Sequence, residues 1–248
     1  MANTQPPQSI ALITGANRGI GLELTRTLAR DHNFHVILGS RTLSSGASAV
    51  SQLQSEGLSV SGMPIDLSSD TSIISASQAL SATHDRLDVL VNNAGIYEEL
   101  SGFPELGDLR KRYHSTFETN VFGSAVVTEA FLPLLEKSAV PRIIFVSSVL
   151  GSISYRLNPA ARFAAWEAYV YCASKAALNM VAATYVRRFG AKGWKINVAC
   201  PGSVSTGLNG FRGAKSTVEA VPNLVRLCLL GEEGETGTFT DEEGEIGW

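Results

Sequence analysis

The 248-residue chain lacks most of the features that mark a specialised surface or compartment. It has no excess of positive charge: 20 Lys and Arg stand against 23 Asp and Glu, a formal net charge of −3. That removes the electrostatic reason to expect nucleic acid or an anionic membrane surface as a partner. No apolar run approaches the ~20 residues that span a bilayer, and the polar, proline-containing start has no apolar signal-peptide core. There is no N-x-S/T sequon. The three cysteines, Cys172, Cys200 and Cys228, are odd in number and widely separated, which suits neither a disulfide framework nor a metal set. Reduced thiols in a cytoplasmic protein are the expectation. His32, His35, His84 and His114 form no H-E-x-x-H or other close ligand cluster, so no metal is expected. A G-x-S-x-G elbow is also missing, which argues against an α/β-hydrolase.

What remains is a globular composition, 44% hydrophobic and 17% charged. Short, mostly apolar runs at 10–14, 34–40, 58–64, 87–92, 142–148 and 195–200 read as strands covered on both faces. Between them, helical patterns occupy 20–30, 70–82, 117–135, 167–189 and 218–230. Strict alternation of the two implies parallel pairing through right-handed crossovers. The chain therefore predicts one doubly wound, Rossmann-type α/β domain over residues 9–248, with a central parallel sheet and helices on both faces. Residues 1–8 read as a disordered lead-in. From Gly231 onward there are seven acidic residues and no basic one, a pattern read as a solvated edge.

The first strand runs into Thr14-Gly15-Ala16-Asn17-Arg18-Gly19-Ile20-Gly21 and then a helix. Glycines there let the backbone turn tightly and bring a helix N-terminus close to a diphosphate. The spacing is G-x-x-x-G-x-G rather than G-x-G-x-x-G, and a tight strand–helix turn alone also needs glycine. The position 20 residues past Gly21 is informative, because a carboxylate there would hold a ribose 2′-hydroxyl. Here it is Arg41, preceded by Gly39 and Ser40. A guanidinium pairs with a 2′-phosphate that a carboxylate would repel, and Arg18 is placed to share it. NADP(H) is the cofactor this predicts; two solvated surface arginines are the alternative.

Further along stand Asp66-Leu67, Asn92-Asn93-Ala94-Gly95, Asn120, Ser147-Ser148, Tyr171-x-x-x-Lys175, and Pro201-Gly202 with Thr206. In this order, each at the end of a strand or on a helix, they resemble the short-chain dehydrogenase/reductases of the carbonyl-reductase kind, over nearly the whole chain. The resemblance implies that Asp66, beside Leu67, binds the adenine amino group. It places Asn93, Ala94 and Gly95 against the adenosine ribose. The backbone after Pro201-Gly202, with Val204, and the side chain of Thr206 would hold the nicotinamide carboxamide.

Tyr171 and Lys175 are i and i+4 on one helix and share a face. A free tyrosine titrates near 10, and a neighbouring ammonium favours its phenolate. Tyr169 has no such partner, since four residues on is Ala173. The resemblance assigns Tyr171 as proton donor, Lys175 to the tyrosine and the nicotinamide ribose, and Asn120 to a water relay. It assigns Ser148 as donor to the substrate carbonyl, with Ser147 the alternative. The expected reaction is NADPH-dependent reduction of a small, partly apolar ketone or aldehyde. The alternatives are an NADP-dependent alcohol dehydrogenase working oxidatively and a non-enzymatic NADP(H)-sensing regulator. A homodimer or homotetramer is expected, through the helices at 117–135 and 167–189, with a monomer as the alternative.

From Ser148 to Tyr171 is 23 residues, longer than in shorter members of the family. The insertion, about 155–168, carries Tyr155, Arg162, Phe163 and Trp166. It is read either as a wall of the substrate pocket or as a cover over the oligomer surface. The loop 203–216, rich in Gly and Ser, is read as a lid with Leu208, Phe211 and Arg212 facing the substrate.

Overall fold

The computed structural model describes residues 8–98 and 106–248. Residues 1–7 of the expected lead-in lie outside them, while Gln8 is held by Arg86, which donates to its carbonyl at 3.1 Å. The apolar runs become β1 (Ser9–Ile13), β2 (Phe34–Ser40), β3 (Val60–Pro64), β4 (Val89–Asn92), β5 (Arg142–Val146) and β6 (Lys195–Ala199). A seventh strand, β7 (Phe239–Thr240), follows near the end of the chain. All pair in parallel, in the order β3-β2-β1-β4-β5-β6-β7.

Both faces of the sheet are dry because successive side chains point to opposite sides. Leu12, Ile37, Leu90, Phe145 and Val198 pack on one side against α3 (Asp70–Thr83), α5 (Ser124–Leu135) and α7 (Tyr169–Phe189). Ala11, Ile13, Val36, Leu38, Val91 and Ile144 pack on the other against α1 (Gly19–Asp31), α2 (Leu43–Ser55) and α9 (Pro222–Cys228). Between them these faces form a continuous three-layer sandwich.

Several expectations are corrected. Helix α2 was not foreseen, because its sequence is rich in Ser. Thr42 caps it reciprocally with Ser45, and Gly46, Ala49 and Leu53 supply a narrow buried stripe. The helix expected over 117–135 begins earlier, as α4 (Leu106–Phe117), and passes through a π-helical turn at Glu118–Gly123 before α5. The pattern at 218–230 divides into α8 (Thr217–Ala220) and α9, with Pro222 opening the second. The acidic tail is not merely a solvated edge. Phe239, in β7, pairs with Val198 of β6 and is fully buried. Glu235 pairs with Arg226 and Glu242 with Lys215.

The chain order reverses between β1 and its neighbours β2 and β4. In an open α/β sheet, that reversal parts the loops beyond the carboxyl ends of the strands and leaves a crevice. A cleft lined by the glycine turn, Tyr171 and Lys175 lies there.

Candidate active site

The cleft has a volume of about 420 Å³. Its nucleotide end is built by the backbone. Gly15 and Gly19 have φ of +62° and +60°, a region that favours glycine. A Cβ on Gly15 would sit 2.9 Å from Ala94 Cα, and one on Gly21 would meet Asn93 Nδ2 at 2.6 Å and Ala16 Cα at 2.8 Å. Asn93 donates from Nδ2 to the Thr14 carbonyl at 2.8 Å, and the Thr14 hydroxyl accepts from the amides of Asn93 and Ala94 at 3.1 Å. These bonds lock the end of β4 against the turn. Arg18, at the cap position of α1, makes no side-chain cap bond. The first amides of α1 thus have no side-chain cap, and a helix N-terminus of this kind is able to meet an anion.

Arg18 and Arg41 both line the cleft, and neither has an ion-pair partner among the described residues. Asn17 and Ile20 join them there, and Asn17 donates to the Ser45 carbonyl at 3.2 Å. Asp66 and Leu67 line the same wall, with one Asp66 oxygen accepting from the Ser68 amide and hydroxyl. A cradle that a Cβ would fill, next to two free guanidinium groups, fits a phosphorylated dinucleotide.

The chemical end is carried by α7, which brings Tyr171 and Lys175 into the cleft one turn apart. Lys175 is buried and donates from Nζ to the Val146 carbonyl at 2.9 Å. Its Nζ lies 5.6 Å from the centre of the Tyr171 ring. Burial pushes the Lys175 ammonium down from 10.5 to about 8. Burial also pushes the Tyr171 phenol up, with Cys200, Cys172 and Tyr97 adding in the same direction. In the chain alone, loss of water sets the direction, opposite to the lowering expected from a neighbouring ammonium.

Asn120 lies behind the cleft, fully buried in the π-helical turn. Its Oδ1 accepts from the Ile96 amide at 2.8 Å, while Nδ2 donates to the Ile96 carbonyl at 3.0 Å and to Ser174 Oγ at 3.1 Å. Gly95 makes room for it: a Cβ there would lie 3.2 Å from Asn120 Oδ1 and 3.6 Å from Lys175 Nζ. Of the two serines, Ser147 borders the cleft, but its hydroxyl donates to Asn179 Oδ1 at 2.6 Å. Ser148 does not border the cleft. Its oxygen accepts from the Leu150 amide at 3.2 Å, and its proton has no acceptor among the described residues.

Pro201 and Thr206 line the cleft, whereas Gly202 and Val204 sit beside it. Val204 bridges to Lys215, and Ser205 donates its amide to the Lys215 carbonyl at 2.8 Å, so the loop at 203–216 folds back on itself. Leu208 lines the cleft as foreseen, while Phe211 is exposed with φ +61°. Sequence reasoning missed Thr42 and Ser45 because it missed α2, whose capping pair they form. It also missed Ile65, Ile96 and Val146, apolar strand-end positions that carry no chemical signal.

Helix α6 (Ile153–Leu157) leads into the insertion, which continues as a series of turns closed by its own side chains. Tyr155 Oη accepts from the Phe163 amide at 3.0 Å, and Arg156 donates to the Phe163 carbonyl at 2.9 Å. No helix among the described residues is long and apolar enough to cross a membrane.

Comparison with known proteins agrees with this geometry. The short chain dehydrogenase family profile matches residues 9–216. The short-chain dehydrogenase anuI of Penicillium roqueforti is 36% identical, over 96% of this chain and 97% of that one. Human carbonyl reductase 1 (NADPH) is 30% identical, over 96% of this chain and 98% of its own. Among solved structures, NADPH-bound carbonyl reductase from chicken fatty liver superposes with a TM-score of 0.83. That pair is 27% identical, with 97% of this chain and 99% of the other covered. The chain belongs to the short-chain dehydrogenase/reductase family of oxidoreductases and is similar to its carbonyl reductases.

Proposed function

We propose that the protein reduces a ketone or aldehyde to the alcohol with NADPH. The observation that carries this reading is a single cleft with Tyr171 and Lys175 at one end and two unpaired arginines, Arg18 and Arg41, at the other. The arginines favour a 2′-phosphate over a bare ribose. The glycine turn takes the diphosphate, and Pro201 and Thr206 take the nicotinamide carboxamide. Bound in this way, NADPH supplies the hydride.

The chain's own groups handle the proton. Burial keeps Tyr171 protonated, the state a proton donor to a developing alkoxide needs. Ser148 lies just outside the cleft lining, but its hydroxyl proton is uncommitted among the described residues and can turn to the carbonyl oxygen, whereas Ser147 in the lining has given its own to Asn179. Lys175 holds the ribose hydroxyls and returns protons toward Tyr171, with Asn120 fixing the segment at Ile96 beside them. The deciding experiment is an NADPH-oxidation screen over aliphatic aldehydes, aromatic ketones, diketones and quinones. NADPH binding with no turnover of any carbonyl would reject the reductase reading in favour of a regulator.

The reading extends to a two-fold dimer through α5 and α7, supported by the exposed Met180 on α7. Light scattering at micromolar concentration should give twice the 26.4 kDa chain mass; a monomer mass refutes it.

A further inference from the structure

Resting on the reductase reading, the position of Tyr171 restricts where the rest of a substrate can lie. The carbonyl oxygen must come within hydrogen-bond reach of the phenol, so the body attached to it lies over the side chains around that ring. One of these is Tyr97, whose ring meets Tyr171 edge to face with centroids 5.1 Å apart. The hydroxyl of Tyr97 accepts from Trp166 Nε1 at 3.2 Å. Trp166 comes from the insertion, 69 residues further along the chain. It meets Phe163 edge to face at 5.6 Å, and Phe163 is held at both backbone groups by Tyr155 and Arg156. Trp166 nevertheless keeps 39% of its surface exposed. Ile96 and Leu208 add apolar surface in the cleft itself. The neighbouring cations are occupied: Arg156 holds backbone carbonyls, and Arg162 lies over Phe163 at 5.2 Å from its centre.

We propose that Tyr97 and Trp166 are specificity-determining residues, forming a wall that receives the body of the substrate. The substrate class this wall fits is a ketone or aldehyde on a flat aromatic frame. Two physical reasons support the choice. Aromatic pairs gain attraction beyond the area they bury, and edge-to-face geometry is already set between Tyr97 and Tyr171. The Trp166–Tyr97 bond orients both rings before any ligand arrives, so little side-chain freedom is lost on binding. A short aliphatic carbonyl cannot cover these rings and leaves them wet. The insertion thus acts on specificity through one hydrogen bond to a residue 69 positions earlier, on the other side of β5 in the chain.

The test compares the bicyclic ketone tetralone with butanal in the full chain and in Tyr97→Ala and Trp166→Phe. NADPH binding is titrated in each protein as a control on the fold. Tetralone binding to the NADP⁺-loaded protein is measured by equilibrium dialysis, independently of turnover. Tyr97→Ala should lower the ratio of kcat/KM for tetralone over butanal by about tenfold, mainly through the KM for tetralone, since ring stacking and buried area are lost together. Trp166→Phe keeps a ring and removes the N–H, and should lower the ratio by about two- to threefold, the value of one neutral hydrogen bond. An equal fall for both substrates means that Tyr97 only supports Tyr171, and overturns the proposal while the reductase reading stands. An unchanged ratio overturns it likewise. A protein that turns over neither carbonyl but binds tetralone more weakly after Tyr97→Ala keeps the wall and ends the reductase reading. Neither turnover nor binding of tetralone ends both.

Discussion

The two ends of the cleft are built by different means. At the nucleotide end the chain comes to the ligand as backbone: Gly15 and Gly19 in left-handed conformation, a Gly21 with no space for a Cβ, and the first amides of α1. The residues that shape it lie within a few positions of one another, and Thr14 and Asn93 pin them to the sheet. At the substrate end the chain comes as side chains. Leu208 lines it, Tyr97 packs against Tyr171 at its edge, and Trp166 is joined to Tyr97 from a third connection. Backbone cannot be changed by a single substitution without breaking the turn, so the nucleotide end suits a ligand that stays the same. Side chains can be exchanged one at a time, which suits an end whose ligand differs between relatives.

Substitutions can break this comparison at its junction, where Tyr171 serves both ends. Tyr171→Phe removes one oxygen and keeps the ring against Tyr97. General acid catalysis contributes roughly 10²–10⁴-fold, so kcat should fall by that factor while NADPH titration is little changed. A variant within a few-fold of the parent rate would place the proton donor elsewhere.

The next effect in size concerns stability. The Lys175 ammonium is lowered from 10.5 to about 8 in the folded chain, a difference of 2.5. At 1.36 kcal/mol per unit this is about 3 kcal/mol set against the fold. Because the folded value is the lower one, the unfolded chain holds this proton more tightly between pH 8 and 10.5. Stability therefore rises with pH across that window, and the penalty acts in full below it. Lys175→Met keeps the apolar stem and carries no charge. Without cofactor it should raise the melting temperature at pH 7, with the gain shrinking towards pH 10.5. A lower melting temperature at both values of pH would show that the bond from Nζ to the Val146 carbonyl dominates instead.

The smallest effect sharpens the nucleotide end alone. Arg41 is exposed and unpaired among the described residues, so its loss leaves the fold intact. A charged hydrogen bond is worth roughly 1.5–3 kcal/mol. Arg41→Ala should therefore lower kcat/KM for NADPH by about ten- to hundredfold and barely alter that for NADH. Equal losses with both cofactors, measured in parallel assays, would remove the 2′-phosphate from its role.

Local signals carried much of this in the sequence by itself. Apolar runs of strand length alternating with helical patterns determined a parallel doubly wound sheet, because strands buried on both faces tolerate little else. Glycine spacing determined the turn after β1, and i, i+4 spacing put Tyr171 and Lys175 on one helix face. Only the tertiary structure decided matters that rest on distant partners. Helix α2 forms from a Ser-rich segment because Thr42 caps it and the sheet buries its narrow stripe. The acidic tail yields β7 because β6 offers it an open edge. The buried environment raises Tyr171 where local spacing suggested the opposite. Tyr97 and Trp166 meet across 69 residues, a contact without periodicity or motif, since it depends on where two loops end rather than on how either begins.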